Sequence, residues 1–156
     1  MIATPSIVHS DAQDTAVIRL TLAASDMATH VGPAAQELIA AITAQGVGPA
    51  GPMYSYHLRR PGDTFDFELG FPVSQPVAAT GRVQPGQLPA TRVARTVYTG
   101  GYEGLGNGWG EFLQWIDGNG LRGAETLWER YVRGPESGGD PAQWQTELNR
   151  PLLEAE

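Results

Sequence analysis

The stretch Phe65-Asp66-Phe67-Glu68-Leu69-Gly70-Phe71-Pro72-Val73 decides the fold, because it comes twice. It lies over Trp144-Gln145-Thr146-Glu147-Leu148-Asn149-Arg150-Pro151-Leu152, with Glu, Leu and Pro identical and an aromatic opening both. In the first copy Phe65, Phe67, Leu69 and Phe71 alternate with the remaining positions, the period of a strand with one buried face. The match continues upstream. Leu38, Ile39 and Ile42 lie over Phe112, Leu113 and Ile116, and Gly46-Val47 over Gly120-Leu121. Tyr54, Ser55 and His57 lie over Trp128, Glu129 and Tyr131. Agreement in residues and in element order points to an internal duplication.

Each copy reads strand, helix, strand, strand. Residues 15–22 form the first strand. The first helix starts at Met27 or Gly32 and ends near Ala44, with Ala35, Leu38, Ile39 and Ile42 as its apolar stripe, Pro33 in its first turn and Gly46 closing it. Strands over 53–59 and 65–71 follow, joined by the turn Pro61-Gly62-Asp63. The second copy has a strand over 91–98 and a helix from near Tyr102 with the stripe Leu105, Trp109, Phe112, Leu113 and Ile116, ended by Gly118-Asn119-Gly120. Its last strands cover 127–132, closed by Gly134-Pro135, and 144–152, separated by the loop 134–141. Residues 1–14 read as an extended lead-in, and the Pro- and Gly-rich residues 74–89 as a connector.

The reading is one α+β domain over 1–156. Two pseudo-symmetric repeats, about 15–73 and 90–152 with the linker 74–89, form an antiparallel sheet with two helices on one face and a central groove. Ligand pockets tend to form at internal interfaces of this kind.

Composition limits the function. Hydrophobic content of 41% against 17% charged residues supports a core and argues against disorder. A net charge of −7 with only 10 Lys+Arg speaks against nucleic-acid binding, which depends on neutralising phosphates. The absence of a membrane-length apolar run or a leader pattern predicts a cytoplasmic protein with no membrane partner. Zero cysteine excludes disulfides and thiol catalysis. His9 and His30 have no ligand spacing around them, so no metal is expected. The alternating glycines 104, 106, 108 and 110 match no phosphate-binding fingerprint, and no cofactor is expected.

Leu127-Trp128-Glu129-Arg130-Tyr131-Val132 carries the candidate chemistry. Alternation puts Leu127, Glu129 and Tyr131 on one side and Trp128 on the other, and parity alone leaves open which side turns inward. If Glu129 does, a carboxylate sits among apolar and aromatic groups, which costs several kcal/mol unless it is paired or protonated. The duplicated halves differ here, with Ser55 against Glu129, so the charge breaks the symmetry of its shell. Trp109 faces the sheet as core or as site wall, and Trp144 and Phe67 stand on apolar strand faces. His57 shares a face with Ser55 and reads as a hydrogen-bonded structural histidine. Tyr54 and Trp128, of opposite parity, are expected on the outer sheet face, where exposed aromatics would mark a homodimer surface. Glu68 and Glu147 are expected on that outer face, paired with arginines.

The doubled pattern resembles the GyrI-like family, the effector-binding domain of multidrug-sensing transcription activators. The resemblance spans residues 15–152 and rests on Leu88-Pro89-Ala90, Tyr98-Thr99-Gly100-Gly101-Tyr102-Glu103-Gly104-Leu105, Trp128-Glu129-Arg130-Tyr131, and the run from Asp140-Pro141 to Leu148 with Pro151-Leu152. It implies capture of a hydrophobic, cationic or planar small molecule in an aromatic groove with Glu129 at its base. Ser55, His57, Phe67, Trp109, Tyr131 and Trp144 are then the further ligand-binding candidates. It also implies two alternatives. One is a cofactor-independent hydrolase that opens strained, cyclopropane-bearing natural products with Glu129 and Tyr131 as catalytic groups. The other is a gyrase-inhibitor-like module that binds protein.

Overall fold

The computed structural model describes residues 2–59, 62–134 and 140–153. Pro61 of the expected turn, Pro135 after the expected strand, and residues 135–139 of the expected loop lie outside them. The fold is α+β, and every strand pairing described is antiparallel. No helix among the described residues is long and apolar enough to cross a membrane.

The chain divides into two compact units, residues 11–90 and residues 1–10 with 91–156. The first contains β2 (Gln13–Ala23), α1 (Met27–Ala44), β3 (Tyr54–His57), β4 (Thr64–Pro72) and β5 (Gln84–Leu88). Its strands run in the order β3-β4-β2-β5. The second contains β1 (Ser6–His9), β6 (Arg92–Thr99), α2 (Leu105–Gly118), β7 (Leu127–Arg133) and β8 (Gln145–Pro151), in the order β1-β6-β8-β7.

Two strands were not expected. The lead-in holds β1, and the connector holds β5. Each pairs along the opening strand of a repeat at matching positions: Ser6 to His9 against Arg95 to Arg92, and Gln84 to Leu88 against Val17 to Gln13. The connector also places Val77 and Val83 in the core of the first unit. Residues 2–10 therefore belong with the second repeat rather than leading into the first.

Each unit buries the face that alternation predicts. Ile18, Leu20, Phe67, Leu69 and Phe71 pack with Leu38 and Ile42 of α1. Ala94, Tyr98 and Leu148 pack with Phe112 and Ile116 of α2. Helix α1 starts at Met27, so Pro33 lies inside it rather than in its first turn. The carbonyl that loses its donor to Pro33 belongs to Thr29, an exposed residue that water can satisfy.

The outer-face aromatics are not exposed: Tyr54 and Trp128 are each 1% accessible. Tyr54 stands opposite Gly70, which offers no side chain, so the ring lies down over β4. Its hydroxyl then meets Thr15 Oγ1 of β2 at 2.8 Å. Trp128 stands opposite Asn149, itself buried within a polar row. Arg95 Nε donates to Asn149 Oδ1 at 2.6 Å, Asn149 Nδ2 donates to Glu147 at 3.1 Å, and Arg130 pairs with Glu147 at 3.3 Å. Parity named the right face for these rings but not the layer that covers it. The pairing of Glu147 with arginines is as expected.

Candidate functional site

The site grows from the register of the second unit. Glu129 stands opposite Leu148, and Tyr131 opposite Thr146. On the other side of β8, Leu148 faces Thr96 and Thr146 faces Tyr98. Leu148 and Tyr98 belong to the core under α2, so Glu129 and Tyr131 are on the helix-covered side. Just beyond Tyr131 the register slips, with Arg133 opposite Gln145, leaving Val132 as the extra residue of a β-bulge. Bulges bend a strand and re-aim its side chains.

Helix α2 comes close to this sheet because its first turns carry glycine where it crosses Tyr98. A Cβ on Gly108 would lie 2.7 Å from Tyr98 Cδ1, and one on Gly104 would meet the Tyr98 hydroxyl. That hydroxyl donates to the Gly101 carbonyl at 2.8 Å, anchoring the Tyr102–Gly104 turn that leads into the helix. Gly106 and Gly110, by contrast, would direct a Cβ into open space. Gly108→Ala is therefore expected to destabilise by about 1–2 kcal/mol net of its better helix propensity, while Gly106→Ala and Gly110→Ala each stabilise by up to ~1 kcal/mol. Urea denaturation of the three variants reads the signs directly. Gly108→Ala behaving like the other two would show that the close approach is absent.

The approach of α2 brings Trp109 onto Glu129. Trp109 Nε1 donates to Oε2 at 2.5 Å, and the Tyr131 hydroxyl donates to Oε1 at 2.9 Å. Glu129 is 8% accessible. Burial raises its pKa above the ordinary glutamate range, and the donors Trp109 and Tyr131 only partly oppose that rise. Among the described residues no charged side chain contributes to the shift. Chemically this is a carboxylate held in place and short of a counter-charge.

Aromatic rings surround it. Trp109 is tilted against Phe112 with ring centres 5.6 Å apart. Tyr102 meets Tyr131 edge-on at 6.0 Å and Trp144 at 5.0 Å. Trp144 is set by a short 3-10 turn, Pro141–Gln143, capped by Asp140, whose carboxylate accepts from Ala142 N at 3.0 Å. Its carbonyl accepts from Gly100 N at 2.9 Å.

Of the residues singled out in the sequence, Glu129, Tyr131, Trp109 and Trp144 thus fall in one cluster of the second unit. Ser55, His57 and Phe67 belong to the first. There His57 stacks on Phe67 at 5.2 Å and meets Phe65 edge-on at 5.4 Å. Its Nδ1 is buried with no hydrogen-bond partner among the described residues, unlike the hydrogen-bonded histidine expected. Burial lowers its pKa to about 4, so it is neutral at pH 7. Tyr102 was missed. The signal for it was its place in the Tyr98–Leu105 run that carries the family resemblance, but it sits on a turn where no periodicity applies. Among the described residues no group of three or more His, Asp or Glu side chains comes together to hold a metal.

Comparison with known proteins places these features in a family. The family model described as the GyrI-like small molecule binding domain matches residues 3–152. No curated protein matches the chain in sequence. Among solved structures, the EcmrR C-terminal domain is 21% identical with a TM-score of 0.84, covering 97% of this chain and 98% of that one. The EcmrR chain of an EcmrR–DNA complex is also 21% identical with a TM-score of 0.83, and this chain spans 58% of its length. A hydrolase from Listeria innocua is 14% identical with a TM-score of 0.66, covering 96% of this chain and 91% of that one. SAV2435, solved bound to tetraphenylphosphonium, is 10% identical with a TM-score of 0.67, covering 97% and 94%. At these identities the likenesses establish the fold.

Proposed function

We propose that this chain, which belongs to the GyrI-like small-molecule-binding family, captures hydrophobic organic cations, with Glu129 as the counter-charge. The observation that carries the reading is the buried Glu129 carboxylate, held by Trp109 and Tyr131 and ringed by aromatics. A buried carboxylate with no cation beside it is unfavourable, and a ligand that brings a positive charge relieves that cost. Rings add a π surface that also favours cations. The tetraphenylphosphonium bound to SAV2435 is a ligand of this chemistry on the same fold.

Titration with tetraphenylphosphonium and with tetraphenylborate tests the reading, since the two ions share a shape and differ in sign. The cation is expected to bind at least ~100-fold more tightly, a difference of about 2.7 kcal/mol. Equal binding would refute the role of Glu129.

A second reading draws on the same raised pKa. A carboxylate poised nearer neutrality is a better general base, and Glu129 would then activate a water against a strained electrophilic ring with Tyr131 beside it. The Listeria innocua protein is called a hydrolase. Incubation with a cyclopropane-bearing alkylator would yield a ring-opened, hydrated product by mass spectrometry, and its loss in Glu129→Gln would support catalysis over capture.

A further inference from the structure

Two buried polar groups at the β8 end of the site have no hydrogen-bond partner among the described residues. Thr146 is 0% accessible, and its Oγ1 makes no hydrogen bond. The indole Nε1 of Trp144 is likewise buried and unbonded. A buried hydroxyl left unpaired is unfavourable, so such groups are uncommon in a settled core.

Their placement is specific. Thr146 stands in register between Tyr131 and Tyr98, on the helix-covered side. Trp144 precedes it by two residues, and Tyr102 bridges Trp144 and Tyr131 above it. Thr146 thus stands across from two tyrosines and two residues on from Trp144, one same-face step along β8 from Leu148, which faces Glu129. Tyr102 is 38% accessible and follows Gly100, whose φ of 144° lies in the region that favours glycine. It is the most exposed ring of the group, at its solvent edge.

We infer that Thr146 Oγ1, with the unbonded Trp144 Nε1 two residues earlier on the same strand end, is a second polar pole of the binding site, which selects organic cations carrying a hydrogen-bond acceptor oxygen at a set distance from the charge. The indole N–H only donates, and a hydroxyl can donate, so the matching group is an acceptor such as a ketone, ester or ether oxygen. Two residues along a strand separate Glu129 from the level of Thr146, which sets the spacing of charge and oxygen at roughly 7 Å. This rests on the cation-capture reading, and it narrows the ligand from any lipophilic cation to a bifunctional one.

Four probes test the pole and the charge separately: phenyltrimethylammonium, its 4-acetyl derivative, and the neutral carbon counterparts tert-butylbenzene and 4-tert-butylacetophenone. Affinities come from NMR titration of the full chain and of Thr146→Val and Thr146→Ser. In the native chain the acetyl group is expected to tighten binding about 10-fold within each pair, the effect of one well-made buried hydrogen bond. That ratio should fall to about one in Thr146→Val, which keeps the shape, and persist in Thr146→Ser, which keeps the hydroxyl. A ratio near or below one in the native chain, or one that survives Thr146→Val, overturns the second pole. Equal affinity of charged and neutral partners overturns the cation reading while leaving the acetyl ratio to speak for Thr146. No binding by any of the four overturns both. Melting temperature alone does not discriminate, since Thr146→Val stabilises by removing an unpaired hydroxyl in either case.

Discussion

Glu129→Gln is expected to weaken tetraphenylphosphonium binding about 30-fold or more and to raise the melting temperature at neutral pH. The variant is nearly isosteric. Its amide oxygen can still accept from Trp109 Nε1, and its amide nitrogen can donate to the Tyr131 hydroxyl, which rotates to accept. What disappears is the charge. Losing one partner of a desolvated ion pair costs about 2–5 kcal/mol of affinity, of which 2 kcal/mol is already ~30-fold. The stability effect has the opposite sign. Burial raises the folded-state pKa of Glu129, so the native state holds its proton to higher pH than the unfolded chain does. The unfavourable charge is absent below the unfolded pKa, and stability falls as pH rises toward the folded value. The melting-temperature gain of Glu129→Gln should therefore be largest at pH 7–8 and shrink toward pH 4. A gain independent of pH, or a loss at pH 7, would show that Glu129 is not destabilised by its burial.

Phe112→Ala is expected to be the most damaging single truncation in the second unit, costing about 3–5 kcal/mol. Phe112 has no solvent exposure and packs with Ile116, Tyr98 and Leu148. It also backs Trp109, its ring centre 5.6 Å away. A cavity there lets Trp109 turn, and the hydrogen bond to Glu129 depends on that ring's position. The variant should lose ligand affinity as well as stability. Phe112→Leu refills most of the volume and should cost ~1 kcal/mol or slightly more. Urea denaturation, with tetraphenylphosphonium titration under native conditions, separates the two effects. Phe112→Ala with full affinity would show that the core does not hold Trp109 in place.

The duplication was legible because its strands alternate and its helices keep their stripes, as with Phe65, Phe67, Leu69 and Phe71 against Leu38 and Ile42. Strands β1 and β5 were not legible. They are short edge strands with little apolar patterning, β5 carrying Pro85 and Gly86, and backbone pairing with β6 and β2 is what defines them. Parity separated Glu129 from Trp128 but could not tell which layer covers which face, and so Tyr54 and Trp128 were expected in the open. Gly70 decides that point for Tyr54, and its place opposite the ring depends on register. Within the site, strand spacing was enough to pair Glu129 with Tyr131. The reach of Trp109 to Glu129 depends on how far Gly104 and Gly108 let α2 descend onto Tyr98, a tertiary distance with no sequence period. Tyr102 and the Thr146 hydroxyl escaped notice for the same reason, since a ring on a turn and a small polar residue in a strand carry no pattern.

Counting protons on ligand binding tests the claim about Glu129 most directly. Calorimetric titration with tetraphenylphosphonium, repeated in buffers of different ionisation heat, gives the number of protons exchanged at each pH. A carboxyl whose pKa is raised by burial must ionise to meet a cation. Protein with intact Glu129 should therefore release protons at pH values above the ordinary glutamate range, and Glu129→Gln should release none. Binding with no proton release at any of these pH values, in both proteins alike, would contradict the account.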